Sequence, residues 1–143
     1  MDAQEFADRL EIADLLARYT RAIDSGQWEL LDEVFSADAV IDYTSAGGIK
    51  GTRDEVKAWL AEVLTHWPGR LHLIGAPVID FHGGEARVSA PFTDTLAPTR
   101  EMVAAGTEGF LHGGGWYHHR LSRTPGGWRS TELVEEQSWR TAR

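Results

Sequence analysis

The chain of 143 residues contains no cysteine, and this absence removes two kinds of chemistry. Disulfide bonds cannot form, and no thiolate can act as a nucleophile or as a metal ligand. The composition is consistent with a cytoplasmic protein, which is the location that we expect. No apolar run is long enough to span a bilayer, so we expect no membrane partner.

Basic residues are also in short supply. Lysine and arginine number 14 against 22 aspartates and glutamates, which gives a formal net charge of −8 at pH 7. Such a surface repels nucleic acid backbones and anionic lipid headgroups. We therefore expect a small molecule, rather than nucleic acid or a membrane, as the partner.

Sequence motifs for common cofactors are absent. There is no Walker phosphate loop, no dinucleotide glycine fingerprint and no nucleophile elbow. The run Gly113-Gly114-Gly115 precedes a predicted strand rather than a helix, and it indicates a bulge or a close approach of backbone to ligand. His118 and His119 point to opposite faces of that strand and cannot share an ion. We expect neither a metal nor a cofactor.

The first half of the chain has the periodicity of helices. Helices are predicted over residues 4–24, 28–35 and 52–67. Gly26 is suited to end the first, because glycine adopts positive φ without strain. Thr52 and Glu55 have the spacing of a capping box at the start of the third.

The second half has the period of two that is typical of strands. An early strand over 39–43 is followed by strands over 70–81, 86–96, 110–123 and 128–139. The turns are predicted at 83–84 and 124–127, and a loop with a helical turn near Glu101 joins the third and fourth strands. This order predicts one α+β domain over residues 1–143.

Polar residues interrupt the apolar faces of two predicted strands. Asp94 shares a face with Val88 and Phe92, where a carboxylate is costly unless it is paired or lines a wet cavity. His72 shares a face with Ile74 and Val78. Taken singly, each has a structural explanation: Asp94 reaches water at a strand end, and His72 is a hydrogen-bonded core residue.

A single pocket explains these interruptions better than separate accidents. Tyr19 lies on the apolar stripe of the first helix, and Asp24 lies where that helix stops. A concave sheet wrapped by helices would bring six polar residues into one cavity: Tyr19, Asp24, Tyr43, His72, Asp94 and Tyr117. We expect Asp24 to lie within hydrogen-bonding distance of His72.

The chain resembles the SnoaL-like branch of the nuclear-transport-factor-2-like (NTF2-like) proteins over nearly its whole length. The resemblance rests on residues 15–19, 24–28, 35–39, 72–75, 115–121 and 127–129. It implies a cone in which three N-terminal helices pack on a curved, mostly antiparallel sheet. It also implies a homo-oligomer, a trimer or a dimer, in which Trp116 and Trp139 are candidates to be covered. Because this fold hosts isomerases, cyclases, dehydratases, hydrolases and binding proteins, it indicates the reaction poorly.

Within this branch the chain is most similar to scytalone dehydratase and bacterial bile-acid dehydratase. The segment that begins at Asp24 resembles the aspartate segment of both, and His72-Leu73-Ile74-Gly75 resembles the catalytic-histidine strand of scytalone dehydratase. Ile41-Asp42-Tyr43 resembles a strand that carries a substrate-binding tyrosine. Tyr19 and Asp94 fall where bile-acid dehydratase has an active-site tyrosine and a second aspartate.

Two features depart from scytalone dehydratase. Its second active-site histidine has no counterpart here, and its active-site asparagine is replaced by Tyr117. The scytalone substrate is therefore not implied.

The resemblance implies a cofactor-independent lyase, a dehydratase, that acts by general acid–base catalysis on an apolar, cyclic, oxygenated metabolite of polyketide, steroid or terpenoid type. His72 would be the base and Asp24 would orient it. Tyr19 and Tyr43 would stabilise a developing oxyanion, and Asp94 would assist proton transfer to the leaving hydroxyl. The expected substrate-binding residues are Tyr43, Tyr117, His119, Phe92 and Trp28.

Two other functions are open from the sequence. An isomerase or a polyketide cyclase would use the same proton abstraction in the same pocket. A non-catalytic protein that binds hydrophobic ligands would keep the apolar lining but would not need the hydrogen bond between His72 and Asp24.

Overall fold

One long helix and a seven-stranded sheet make up most of the computed structural model, which describes residues 1–106 and 109–142. The helices are α1 (Ala3–Ser25), α2 (Arg53–Val63) and α3 (Arg100–Ala104). The strands are β1 (Phe35–Asp42), β2 (Lys50–Thr52), β3 (Gly69–Ile74), β4 (Val78–His82), β5 (Glu85–Ala97), β6 (Leu111–Thr124) and β7 (Gly127–Ala142). Three short 3₁₀ segments lie at Trp28–Glu33, Thr44–Ala46 and Leu64–His66.

Helix α1 is capped at both ends. The Asp2 side chain accepts a hydrogen bond from the backbone N–H of Glu5, which satisfies one free donor of the first turn. At the other end Gly26 adopts φ 71°, and its N–H returns to the carbonyls of Ala22 and Ile23. The predicted end of the helix is therefore confirmed, and Asp24 lies in its last turn.

The second and third predicted helices differ in part from the structure. The segment after Gln27 is a 3₁₀ helix rather than an α-helix, and Phe35 already belongs to β1, where it pairs with Ser130. The capping box of Thr52 and Glu55 is present as predicted. Helix α2 nevertheless ends at Val63, and the residues up to His66 tighten into a 3₁₀ turn.

The sheet is open and mixed, with strand order β2-β1-β7-β6-β5-β3 and with β4 also paired to β5. All pairs are antiparallel except β1 with β7. Helix α1 packs on the concave side, where it contacts β3 and β7. The predicted α+β, NTF2-like architecture is confirmed.

The strand predicted over residues 70–81 is wrong as a single element. Gly75, Ala76 and Pro77 separate β3 from β4, although both strands pair with the long strand β5. The Gly75 N–H donates to the Pro91 carbonyl, and a Cβ on Gly75 would lie only 2.8 Å from the Pro91 ring. Val78 therefore does not continue the face of His72, and it is 59% exposed.

Strands β6 and β7 change register at two bulges. One lies between Gly114 and Gly115, as the glycine run predicted, and a Cβ on Gly115 would overlap the Glu136 carbonyl. At the other, Arg120 pairs with Glu132 while Leu121 pairs with Ser130, so that one extra residue enters β7. Bulges of this kind bend the strand and re-aim the side chains beyond them.

The concave side holds the core, whereas the opposite face exposes several large apolar side chains. Tyr19, Phe35 and Trp128 are fully buried between α1 and the sheet. Leu71 and Leu73 on β3 are 55% and 62% exposed. The homo-oligomer stays a prediction, to which this exposed face is relevant. Within the described ranges no helix is long and apolar enough to cross a membrane.

Candidate active site

The end of α1 meets β3 at a hydrogen-bonded pair. Asp24 Oδ1 lies 2.5 Å from His72 Nδ1, and Asp24 Oδ2 accepts the backbone N–H of His72 at 2.8 Å. The expected hydrogen bond between these side chains is therefore formed. Both side chains are largely buried, with 13% and 8% of their surfaces exposed.

The two bonds together define the protonation of the pair. The backbone N–H of His72 is an obligatory donor, so one Asp24 oxygen is committed to it. The other oxygen faces Nδ1, and an ionised carboxylate accepts at both oxygens. Nδ1 then carries the proton of the neutral imidazole, and the lone pair of His72 lies on Nε2.

A second carboxylate lies beside Nε2. Asp94 is directly opposite His72 in the pairing of β3 with β5, and its Oδ2 lies 3.6 Å from Nε2. This separation is longer than a good hydrogen bond, and none of the described residues hydrogen-bonds to Nε2. A proton taken up at Nε2 would be stabilised electrostatically by both carboxylates.

Arg70 ties together the elements that carry this pair. Its guanidinium donates to the Ile23 carbonyl at the end of α1, and to the carbonyls of Leu64 and Trp67 beyond α2. These carbonyls are among the acceptors that helix ends leave unsatisfied. Arg70 thereby fixes α1 against β3 two residues from His72, a role that sequence reasoning did not find.

Three tyrosines lie together at the other side of the imidazole. The hydroxyls of Tyr19 and Tyr43 are hydrogen-bonded to each other, and the Tyr117 ring meets Tyr19 edge-on at 5.2 Å. All three side chains are buried, and burial raises the pKa of each well above its ordinary value. These hydroxyls therefore stay protonated and can donate hydrogen bonds at any physiological pH.

These groups surround a cavity of about 100 Å³ that opens to solvent on one side. The polar side chains that line it are Tyr19, Tyr43, His72, Tyr117, Glu135 and Arg140. Its remaining walls are mainly apolar and include Trp59 and Leu60 of α2. The volume is below the roughly 300–1,000 Å³ of common ligand pockets, so it admits the reacting edge of a ring system rather than a whole one.

Glu135 and Arg140 are the polar lining residues that sequence reasoning missed, and Glu135 is the one with unusual acidity. Burial, together with the negative charge of Asp94, raises the pKa of its carboxyl to about 7, while His72 and Arg140 act in the opposite direction. The sequence did contain one indication that Glu135 faces inward, because it lies two residues after the apolar Leu133 on the same strand. Counting in twos from Trp128 instead assigns Glu135 to the outer face, because the bulge in β7 changes the phase.

Three predicted substrate-binding residues do not line the cavity. Phe92 stacks against Tyr117 from the side, with ring centroids 4.0 Å apart. Trp28 packs beneath the guanidinium of Arg70. His119 lies in the core, 3% exposed, with Nδ1 2.8 Å from Ser130 Oγ. The structure thus places Tyr19, Tyr43, His72 and Tyr117 in the cavity wall, as expected. Asp24 and Asp94, which we expected in the same cavity, lie against the imidazole of His72 and do not line it.

A larger cleft of about 420 Å³ lies on the opposite face of the sheet. Its charged lining includes Arg87 and Arg120, which face each other across β5 and β6. Its chemistry is that of exposed charges without a buried acid–base pair, so we place the candidate site in the smaller cavity. Within residues 1–106 and 109–142 no cluster of three histidines or carboxylates is arranged to hold a metal ion.

The SnoaL-like domain family matches residues 4–134 of the chain. The chain belongs to this family. One relative is the uncharacterized protein Rv2910c of Mycobacterium tuberculosis, which is 37% identical over 137 residues, 94% of this chain and 88% of that protein. This relative has no assigned activity that bears on the site.

Some of the solved structures with the same fold carry names of elimination enzymes, whereas others carry no activity or a different one, such as an aromatic ring hydroxylase from Novosphingobium aromaticivorans. A scytalone dehydratase-like protein from Novosphingobium aromaticivorans has a TM-score of 0.85 at 21% identity, over 100% of this chain and 92% of that one. Hexachlorocyclohexane dehydrochlorinase LinA-type3 from Novosphingobium barchaimii has a TM-score of 0.84 at 15% identity, over 100% and 94%. At these identities the likeness shows the shared NTF2-like fold.

Proposed function

We propose that the protein is a cofactor-independent lyase that dehydrates an apolar, cyclic, oxygenated metabolite of polyketide, steroid or terpenoid type. The observation that carries this proposal is the Asp24–His72 pair, whose free Nε2 lies beside a cavity lined by tyrosine hydroxyls. A base, an acid and an oxyanion stabiliser are sufficient to remove a proton beside a carbonyl and expel a β-hydroxyl.

In the first step His72 Nε2 takes the proton from the carbon next to the substrate carbonyl. The Asp24 carboxylate holds Nδ1–H and stabilises the imidazolium that forms, as the third group of a catalytic triad does. Asp94 adds a second negative charge 3.6 Å from Nε2. This position favours stabilisation of the imidazolium over the transfer of a proton to the leaving hydroxyl.

The negative charge that develops on the carbonyl oxygen would be met by the tyrosine pair. One of the two hydroxyls must donate to the other, so Tyr19 and Tyr43 together keep one O–H for the substrate. A donor that itself accepts a hydrogen bond is polarised and donates more strongly. Preorganised donors of this kind are worth most in a buried site.

The names of the dehydratase and dehydrochlorinase structures agree with this chemistry at a coarse level. Dehydration and dehydrochlorination both remove a proton and a leaving group from neighbouring carbons. Isomerisation or ring closure would begin with the same proton abstraction, and a binding protein would have no use for a base held by a carboxylate.

Exchange of carbon-bound protons with deuterated water tests the first step without knowledge of the natural substrate. The probes are bicyclic ketones and hydroxytetralones with the hydroxyl β to the carbonyl. NMR measures the exchange of their carbon-bound protons, and absorbance measures their loss of water. His72→Gln should lower both rates by about 10²–10⁴-fold. His82→Gln, a change at an exposed histidine of β4, is the matched control and should leave both unchanged.

Three outcomes separate the candidate functions. Exchange with water loss supports the dehydratase. Exchange with a shifted double bond or a new ring supports the isomerase or the cyclase. Binding of the probes without exchange supports a carrier, and unchanged exchange in a folded His72→Gln protein removes the mechanism.

A further inference from the structure

Dehydration needs a proton for the oxygen that leaves, and the base cannot supply it while it accepts another. Hydroxide is a poor leaving group, whereas water departs readily once the oxygen is protonated. Because the tyrosine hydroxyls are assigned to the oxyanion and are weak acids, the donor must be a further, more acidic group that is protonated near neutral pH and faces the cavity. Asp94 does not meet the second condition, since it lies against the imidazole and does not line the cavity.

Glu135 meets the geometric condition. It lies on β7 directly opposite Tyr117 of β6 and contributes to the cavity wall with His72 and Tyr19. Its backbone is held by Ser45, whose hydroxyl donates to the Glu135 carbonyl at 2.5 Å and accepts from the N–H of Gln137 at 2.9 Å. The strand carries the side chain at a fixed place in the wall.

No structural partner accounts for this carboxyl among the described residues. Neither of its oxygens has a hydrogen bond there. The nearby cation does not pair with it, because Arg140 donates instead to the carbonyl of Ala46 and to Gln137 Oε1. A largely buried carboxyl without a partner is costly, and it is retained more readily as a neutral acid than as an anion.

On balance, the surroundings of Glu135 also favour its neutral form. The groups that face it are Tyr19 from α1, Tyr43 after β1, His72 from β3, Asp94 from β5, Tyr117 from β6 and Arg140 from β7. Burial and the Asp94 carboxylate outweigh the opposing effects of His72 and Arg140, and the pKa of the Glu135 carboxyl rises to about 7. A substantial fraction is therefore protonated at neutral pH.

We propose that Glu135 is the general acid of this site and donates its carboxyl proton to the departing hydroxyl. This inference rests on the proposed dehydration. His72 Nε2 takes the carbon-bound proton, and that electron pair forms the new double bond. The carbon–oxygen bond breaks with its electrons on oxygen, which receives the Glu135 proton and leaves as water. Transfer of a proton from the imidazolium to the Glu135 carboxylate through solvent restores both groups.

The test separates proton abstraction from loss of the hydroxyl. Three probes are used with the whole protein: a bicyclic ketone without a leaving group, its β-hydroxy derivative and its β-acetoxy derivative. Glu135→Gln should keep exchange of the ketone within about threefold of the unmodified protein. The Glu135→Gln variant should eliminate water from the hydroxyketone about 10²–10⁴-fold more slowly than the unmodified protein. It should eliminate acetate nearly normally, because acetate leaves without protonation.

Glu136→Gln is the matched control, a change at the next residue of β7, whose side chain is 59% exposed on the other face. All three rates should stay normal in this variant. The pH profile adds a second readout: loss of water should decline above about pH 7 in the unmodified protein, whereas loss of acetate should not.

The outcomes distinguish a failure of this inference from a failure of the proposed function. Equal losses of exchange and of both eliminations in a folded Glu135→Gln protein would overturn the acid role, and so would normal loss of water. An unmodified protein that exchanges no probe, or one whose exchange survives His72→Gln, overturns the proposed lyase and the acid role with it.

Discussion

Two histidines on the concave face show opposite uses of the same side chain. His72 lies at the cavity with carboxylates near both ring nitrogens. His119 lies deeper, where Phe35 stacks on its ring at 6.2 Å and Tyr19 meets it edge-on. Its Nδ1 has only the Ser130 hydroxyl, and its buried Nε2 has no partner in the described structure.

The surroundings, rather than the imidazole, decide which histidine can carry a proton. Ser130 donates its own hydroxyl to the Glu132 carbonyl at 3.1 Å, so it accepts from His119 Nδ1–H. His119 is thereby fixed as a neutral imidazole, and burial lowers its pKa to about 3, with a smaller contribution from His118. Around His72 the same ring has anions that would stabilise its charged form.

Replacing each histidine by glutamine should produce the largest contrast. His72→Gln should lower turnover by about 10²–10⁴-fold with a small change in stability, because it removes the base from a partly open site. His119→Gln should keep turnover within about threefold but lower the free energy of unfolding by about 1–3 kcal/mol, through lost packing and an unmatched amide. Rates and denaturant unfolding of both variants check this; a selective loss of activity in His119→Gln would contradict it.

The aspartate beside His72 should give the next largest effect. Asp24→Asn replaces one of two acceptors by a donor, so either Nδ1–H or the backbone N–H of His72 loses its partner. We expect turnover to fall by at least about 10–10²-fold, the loss seen when a group that orients a metal-bound histidine is removed. Asp14→Asn, at an exposed acid of the same helix, is the control. Equal rates in the two variants would remove Asp24 from the mechanism.

The buried histidine should also make stability depend on pH. Below about pH 6.5 the unfolded chain protonates His119, whereas the folded chain does so only near pH 3, so stability is lost as pH falls through this window. The contribution should reach about 2 kcal/mol at pH 5. Denaturant unfolding of the unmodified protein and of His119→Gln, measured from pH 4.5 to 7.5, should give stability curves that approach each other as pH falls, because only the unmodified protein loses this contribution.

Glu135 acts on stability in the opposite direction over much of the same window. Its folded pKa of about 7 lies above its ordinary value of 4.5, so its contribution falls as pH rises from about 4.5 to 7. The difference between the two curves, rather than either alone, isolates His119. Parallel curves would contradict a buried neutral imidazole.

The smallest effect is expected at the hydroxyl behind His119. Ser130→Ala removes the acceptor of Nδ1–H and should lower the free energy of unfolding by about 1 kcal/mol. Turnover should not change. Ser138→Ala, at an exposed position of the same strand, is the control and should be neutral. A change in turnover with Ser130→Ala would couple the two regions that we describe as independent.

The sequence predicted the parts of the fold that depend on local chemistry. Gly26 and the Thr52–Glu55 pair marked helix ends, because capping involves only neighbouring residues. Tyr19, His72 and Asp94 stood out because each is polar on an apolar face, and Asp24 stood out because it lies at the end of the first helix. The break between β3 and β4 was missed, although Pro77 marked it, because the alternation of apolar residues continues on both sides of it.

The alternation of residues in the sequence could not predict how deeply a side chain is buried, nor which face it takes after a bulge. Alternation placed Tyr117 and His119 on the same concave face, but it does not tell which of them the first helix covers. It also failed at Glu135, since a bulge is set by pairing with a distant strand. Both errors concern the position of a residue relative to partners remote in sequence.

The extra residue at Thr131 shifts the inward–outward alternation of β7 by one position. Inward-facing side chains have even numbers before the bulge and odd numbers after it. Before the bulge, Trp128 and Ser130 point into the aromatic core. After it, Leu133 and Glu135 point inward, and Glu135 lines the cavity. Substitutions in the hairpin end can therefore accumulate without altering which carboxyl faces the cavity. A single strand thus contributes two modules that evolution can alter separately, one for folding and one for chemistry.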